Sequence, residues 1–182
     1  MNLFLKRIIF LLVIVAAGIF IYAYGDIFKK PLSPKDTVEF KLNDLKLEVF
    51  YNRPSKRDRV IFGGLVAYNK VWRTGANEAT TFETNQALKI GIDYLAAGKY
   101  TLWTIPNKDS WQVIINSKQY AWGVNDAMEA MREAEFDVIN IEIPIQSLKN
   151  TVEQFTIAFD NSTDNLSLTM AWDKTKIVVP LK

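Results

Sequence analysis

Histidine and cysteine are both missing from the 182 residues. Without histidine there is no Ser-His-Asp or Cys-His arrangement and no imidazole metal site. Without cysteine there is no disulfide, no zinc–thiolate centre, no thiol nucleophile and no lipid-modified cysteine anchor. Only hard oxygen ligands remain for a metal, and no DxDxDG calcium loop is present. No metal or other cofactor is therefore expected. An enzyme made from this chain would depend on carboxylates, Lys, Tyr or Arg. Acid is absent from the first 25 residues, where Lys6 and Arg7 are the only bases. Those two bases account for the whole net charge of +2 and for the pI near 8.7. The remainder is neutral and has no basic stripe, which argues against a nucleic-acid partner.

What is present begins with an uncharged run at residues 8–24, "IIFLLVIVAAGIFIYAY". Seventeen residues cover roughly 25 Å as a helix, enough for a thin bilayer. A buried globular helix would not be apolar on every face at a terminus. Two readings stand. Ala23-Tyr24-Gly25 offers small residues for signal cleavage before Asp26, giving a secreted domain. Against this, the run is longer than a usual signal core and ends in Phe20, Tyr22 and Tyr24, like an interfacial belt. The preferred expectation is an uncleaved single-pass anchor in the inner membrane with the domain on the periplasmic side. The division expected is 1–25 anchor or signal, 26–37 linker and 38–182 folded domain, the linker being marked by two prolines in "KKPLSPKD".

Beyond the linker the pattern has period two. "LKLEVFY", "YTLWTI" and "WQVII" alternate, the last two joined by the turn "PNKDS". "VINIEIPI" places Ile139, Ile141, Ile143 and Ile145 on one face. "LSLTMAW" does the same with Leu166, Leu168, Met170 and Trp172, and "KIVVPL" closes the chain. About ten short strands separated by turn signals predict an all-β fold, an antiparallel sandwich or barrel. One segment departs from this rhythm. In residues 125–135, "NDAMEAMREAE", Asp126 and Glu129 resemble a capping box, and Met128 and Met131 have helical spacing. A short helix is expected there, with its methionines as core contacts.

The least ordinary stretch is residues 59–80, "RVIFGGLVAYNKVWRTGANEAT". Gly63-Gly64 followed by Lys70 does not have phosphate-loop spacing, and no Ser or Thr follows the lysine. Tyr68 and Trp72 are four residues apart, as an aromatic sugar platform or, preferably, as a plug for one end of the sandwich. In "WRTGANEAT", Gly75 and Asn77 tolerate positive φ. If residues 74–77 form a turn, Arg73 and Glu78 flank it as a cross-strand ion pair. The alternative makes Arg73 an anion clamp and Glu78 an acid, base or metal ligand. The stretch is read first as a structural device, with Arg73 paired to Glu78 and Trp72 in the core.

"YNRPSKRDRVIFGGLVAYNKVWRTGANEAT", "AAGKYTLWTIP", "WQVIIN" and the late tryptophan of "LTMAWDKTKIVVP" together resemble the domain of unknown function 2911 family of bacterial envelope proteins. The resemblance spans about residues 38–181, with Ala67 where proline is expected. It implies a secretion signal but brings no catalytic residue and no ligand. Three classes of function remain open: a binding module for a small polar ligand, glycan or peptide; a structural or interaction domain of an envelope complex; and a carboxylate-driven hydrolase. The first is preferred, with Arg53, Trp72, Arg73, Asn77 and Glu78 as ligand-binding candidates and Trp103 and Trp111 in support. The hydrolase would need a second acid beside Glu78, for which Glu83 and Asp58 are near in sequence. The partners expected are the membrane, through the N-terminal helix, and an envelope protein, glycan or peptide.

Overall fold

The computed structural model describes residues 2–24, 31–163 and 165–182. It divides into two compact units, Met1–Pro31 and Leu32–Lys182. Among its described residues the first contains one helix, α1 (Leu3–Tyr24). Helix formation extends through Lys6 and Arg7 to Leu3, because both are good helix formers and nothing caps the chain at Ile8. At 22 residues α1 is about 33 Å long. Its stretch Leu3–Tyr22 has a mean hydropathy of 2.5 and is long and apolar enough to cross a membrane. Residues 26–30 of the expected linker lie outside the described residues. Lys35 and Asp36, assigned to the linker from sequence, already belong to a strand.

Among its described residues the second unit contains ten strands: β1 (Lys35–Leu42), β2 (Leu45–Asn52), β3 (Thr81–Thr84), β4 (Leu88–Ile90), β5 (Asp93–Leu95), β6 (Gly98–Pro106), β7 (Ser110–Asn116), β8 (Asp137–Pro144), β9 (Gln146–Asp160) and β10 (Ser167–Pro180). Six of them form one antiparallel sheet in the order β1-β2-β3-β6-β7-β8, while β9–β10 and β4–β5 form two hairpins. Hairpin chemistry sets the register. Asn43 takes a left-handed φ of 51° at the β1–β2 turn, so Leu42 pairs with Leu45 and Lys35 with Asn52. Pro106 pairs with Trp111 across the turn expected in "PNKDS".

The core lies between the six-stranded sheet and the long β9–β10 hairpin. Leu47, Val49 and Tyr51 of β2 and Trp111, Val113 and Ile115 of β7 face Phe155, Ile157, Leu168, Met170 and Trp172. Each fully buried apolar side chain contributes about 1.5–3 kcal/mol. This is the two-layer antiparallel architecture that the alternation implied, without closure into a barrel. Ile139 and Ile143 are buried while Asn140 and Glu142 are exposed, as expected for β8. "LSLTMAW" and "KIVVPL" run together as the single strand β10, with bulges near Asp173 absorbing the change of register.

The expected helix at residues 125–135 is not formed. Asn125 accepts the backbone N–H of Glu129 on its side chain (2.9 Å), and Val124 bridges Ala130. The segment thereby closes as a tight loop, with Met128 at a left-handed φ of 62°. Only a 3-10 turn, Ala134–Phe136, follows. Met128 and Met131 are exposed, at 71% and 42%, and are not core contacts.

Candidate functional site

Two long connections carry the irregular residues. One joins β2 to β3 (residues 53–80); the other joins β7 to β8 (residues 117–136). They touch where Gly123 donates its N–H to the Asn77 carbonyl at 3.4 Å.

The first connection is ordered by backbone and hydroxyl bonds. Trp72 exchanges both backbone hydrogen bonds with Thr104 of β6, at 2.7 and 3.0 Å. The chain then turns sharply. Thr74 is fully buried with a φ of 55°, an unfavourable conformation for a β-branched residue. Bonds around it hold it there: its hydroxyl lies 3.1 Å from that of Thr104, and its carbonyl accepts the Thr80 hydroxyl at 2.8 Å. Trp72 Nε1 donates to the Gly75 carbonyl at 3.0 Å. The Trp72 ring stacks on Trp172 (5.9 Å, 17°) and meets Trp111 and Phe155, as the core placement expected for it requires.

The expected Arg73–Glu78 pair is absent. Glu78 Oε1 is 2.5 Å from Lys35 Nζ, and Glu78 Oε2 accepts the Asn52 side-chain amide at 2.9 Å. The hydrogen bond from Lys35, followed by those from its own backbone N–H and Asn52, holds its carboxyl below the usual range against the opposing effect of burial. Arg73 points elsewhere because Thr74 redirects the chain and β3 begins only at Thr81, so the two residues never face each other across a ladder. The Arg73 stem lies on Gly123, where an added Cβ would come within 2.6 Å of Arg73 Cβ. Its Nη1 is buried with no hydrogen-bond partner, and burial pulls the guanidinium below its ordinary value. Among the described residues, the Arg73 side chain makes neither a hydrogen bond nor an ion pair.

Arg73 lines a cleft of about 710 Å³, within the usual range for small-molecule sites. Trp72 and Trp172 supply aromatic surface. Leu65, Val66, Ala67, Lys70 and Val71 come from the first connection, and Val124, Met128, Glu129 and Ala130 from the second. Ser33, Pro54, Arg57, Arg59, Gly75 and Ala76 complete the lining. Four cationic residues thus accompany one carboxylate. Arg59 is engaged, since its guanidinium donates to the carbonyls of Lys56 (3.0 Å) and Ser55 (2.5 Å). The exposed side chains of Arg57 and Lys70 have no such partners among the described residues.

Of the five residues singled out from sequence, Trp72 and Arg73 line this cleft and Arg53, Asn77 and Glu78 do not. Arg53 clasps β1 and β9 through Asp36 (3.2 Å), the Phe155 carbonyl and Thr156. Asn77 donates to the Asn52 side chain at 3.3 Å. Trp103 and Trp111 are fully buried and unavailable to a ligand. Sequence reasoning missed Arg57, Arg59, Lys70 and Glu129. The basic run "RPSKRDR" was a usable signal, but only the fold brings Lys70 and the second connection beside it.

The family model for "Protein of unknown function (DUF2911)" matches residues 33–181. Comparison with curated proteins finds no significant match, and neither does comparison with solved structures.

Proposed function

The chain belongs to the DUF2911 family of proteins of unknown function, and from that premise we propose that it is a membrane-tethered binding module, facing the extracytoplasmic side, that holds a small anionic ligand in the cleft beside Arg73. The observation that carries this reading is the unpartnered guanidinium of Arg73 at a concave surface. A half-buried cation whose Nη1 is shielded from water and has no partner is costly, and proteins retain such groups where a ligand supplies the missing contact. The strained φ of Thr74 next to it supports the same reading, since backbone strain gathers at functional sites. Hydrolysis is less well supported. Glu78 is engaged by Lys35 and Asn52 and its carboxyl is held acidic, so it is poorly suited to donate a proton at neutral pH.

The test is calorimetric titration of the full chain, in discs of phosphatidylcholine, with a panel of small carboxylates, phosphates and neutral sugars. Saturable binding confined to anions and lost in Arg73→Gln is the expected result. Saturable sugar binding that survives Arg73→Gln would overturn the proposal.

A further inference from the structure

We infer that the ligand of this cleft is an amphipathic phosphate ester, a phosphate-class dianion joined to an apolar body. The inference rests on the reading of the cleft as an anion site and goes on to name the anion and what carries it.

The charge inventory favours a dianion. Among the described residues, three lining cations have side chains with neither an ion pair nor a hydrogen bond to protein: Arg73, Arg57 and Lys70. The one carboxylate among the described lining residues, Glu129, accepts the neutral Asn125 amide at 3.1 Å and keeps its charge, so it offsets one of the four lining cations and leaves a net of three. A carboxylate would neutralise one cation of the three. A phosphate monoester carries about −1.5 to −2 at neutral pH and three strong acceptor oxygens, so it can meet all three. Two of the three are arginines, whose planar fork matches phosphate oxygens two at a time.

The remaining space favours an apolar body. Inorganic phosphate would fill a small part of 710 Å³. Much of the other lining is aromatic or aliphatic, including Trp72, Trp172 and Val71. Leu65 and Met128 stand exposed in that lining, at 50% and 71%. Exposed apolar groups clustered at a pocket mark surface that a ligand covers. A polar sugar phosphate would leave those groups wet, whereas an alkyl or prenyl chain would bury them. The phosphate can belong to a lipid headgroup or to a soluble ester, since the chemistry presented to Arg73 is the same.

The full chain in phosphatidylcholine discs is titrated calorimetrically with hexyl phosphate, hexanoate and inorganic phosphate. Hexyl phosphate should bind at least about tenfold more tightly than either of the others. Arg73→Gln should lose most of that affinity. The double variant Arg57→Gln/Lys70→Gln should retain the thermal transition and bind hexyl phosphate no better than hexanoate. Equal affinity for hexyl phosphate and hexanoate in the wild type would overturn the dianion inference while leaving the anion site standing. Equal affinity for hexyl phosphate and inorganic phosphate would overturn the apolar body. Absence of any anion binding would overturn both this inference and the site reading beneath it. Discs doped with phosphatidic acid separate the sources. Loss of hexyl phosphate binding in those discs supports a lipid headgroup, and undiminished binding supports a soluble ester.

Discussion

Replacing Arg73 with methionine tests the site directly, because methionine keeps most of the stem that lies on Gly123 and removes the guanidinium. In the wild type, Nη1 is buried without a partner. A buried donor left unsatisfied costs about 1–3 kcal/mol, and that cost disappears in Arg73→Met. Some packing of the planar head is lost with it, so the expected net gain is about 1–2 kcal/mol. For a domain of this size each kcal/mol moves Tm by about 2–4 °C, so the ligand-free variant should melt about 2–8 °C above wild type. Glu78→Gln supplies the second edge of the cycle. Its partner Lys35 is 64% exposed, so the ion pair is worth only about 0.2–1 kcal/mol. The amide oxygen of glutamine can still accept from Asn52. Arg73 and Glu78 share no partner, so the double variant should equal the sum of the singles within about 0.5 kcal/mol. Calorimetric melts of all four proteins measure both quantities. A fall in Tm for Arg73→Met, or a coupling above about 1 kcal/mol, would refute the reasoning and restore the ion pair expected from sequence.

Trp72→Ala should cost about 3–5 kcal/mol, read by denaturant titration, because the ring fills space among Trp172, Trp111 and Phe155. Gly123→Ala should destabilise by about 1–3 kcal/mol and abolish anion binding, since its methyl would overlap the Arg73 stem; an unchanged melt and titration would contradict this packing. The carboxyl of Glu78 is depressed in the folded state, so the unfolded chain binds the extra proton. Its contribution is therefore complete above the unfolded value of about 4.3 and lost as pH falls through the folded value, and Glu78→Gln should flatten this acid limb. Cell fractionation should recover the full-length chain with membranes through α1, and a soluble form whose N-terminal residue is Asp26 would disprove the anchor.

Period-two alternation was enough to place most strands, because a residue on a pleated sheet faces either core or solvent according to its parity. The apolar N-terminal run was equally legible, since length and hydropathy are local properties. The missing histidine and cysteine exclude whole classes of chemistry on composition alone. The segment at 125–135 misled for a physical reason. Helical spacing of two methionines is a weak signal, and an asparagine that bonds to a backbone N–H four residues on can close a loop instead. The Arg73–Glu78 pairing failed similarly. Spacing across a turn assumes that both flanks enter the same ladder, but Thr74 adopts a left-handed φ and directs Arg73 toward Gly123, 50 positions away. Which cations stay unpaired depends on contacts between residues distant in sequence. Lys35 reaches Glu78 and Asp36 reaches Arg53, while Arg59 is satisfied by nearby carbonyls, and what remains is Arg57, Lys70 and Arg73 around one cleft. Local sequence determines which groups are charged; only the tertiary fold, by bringing partners together or keeping them apart, decides which charges are left for a ligand.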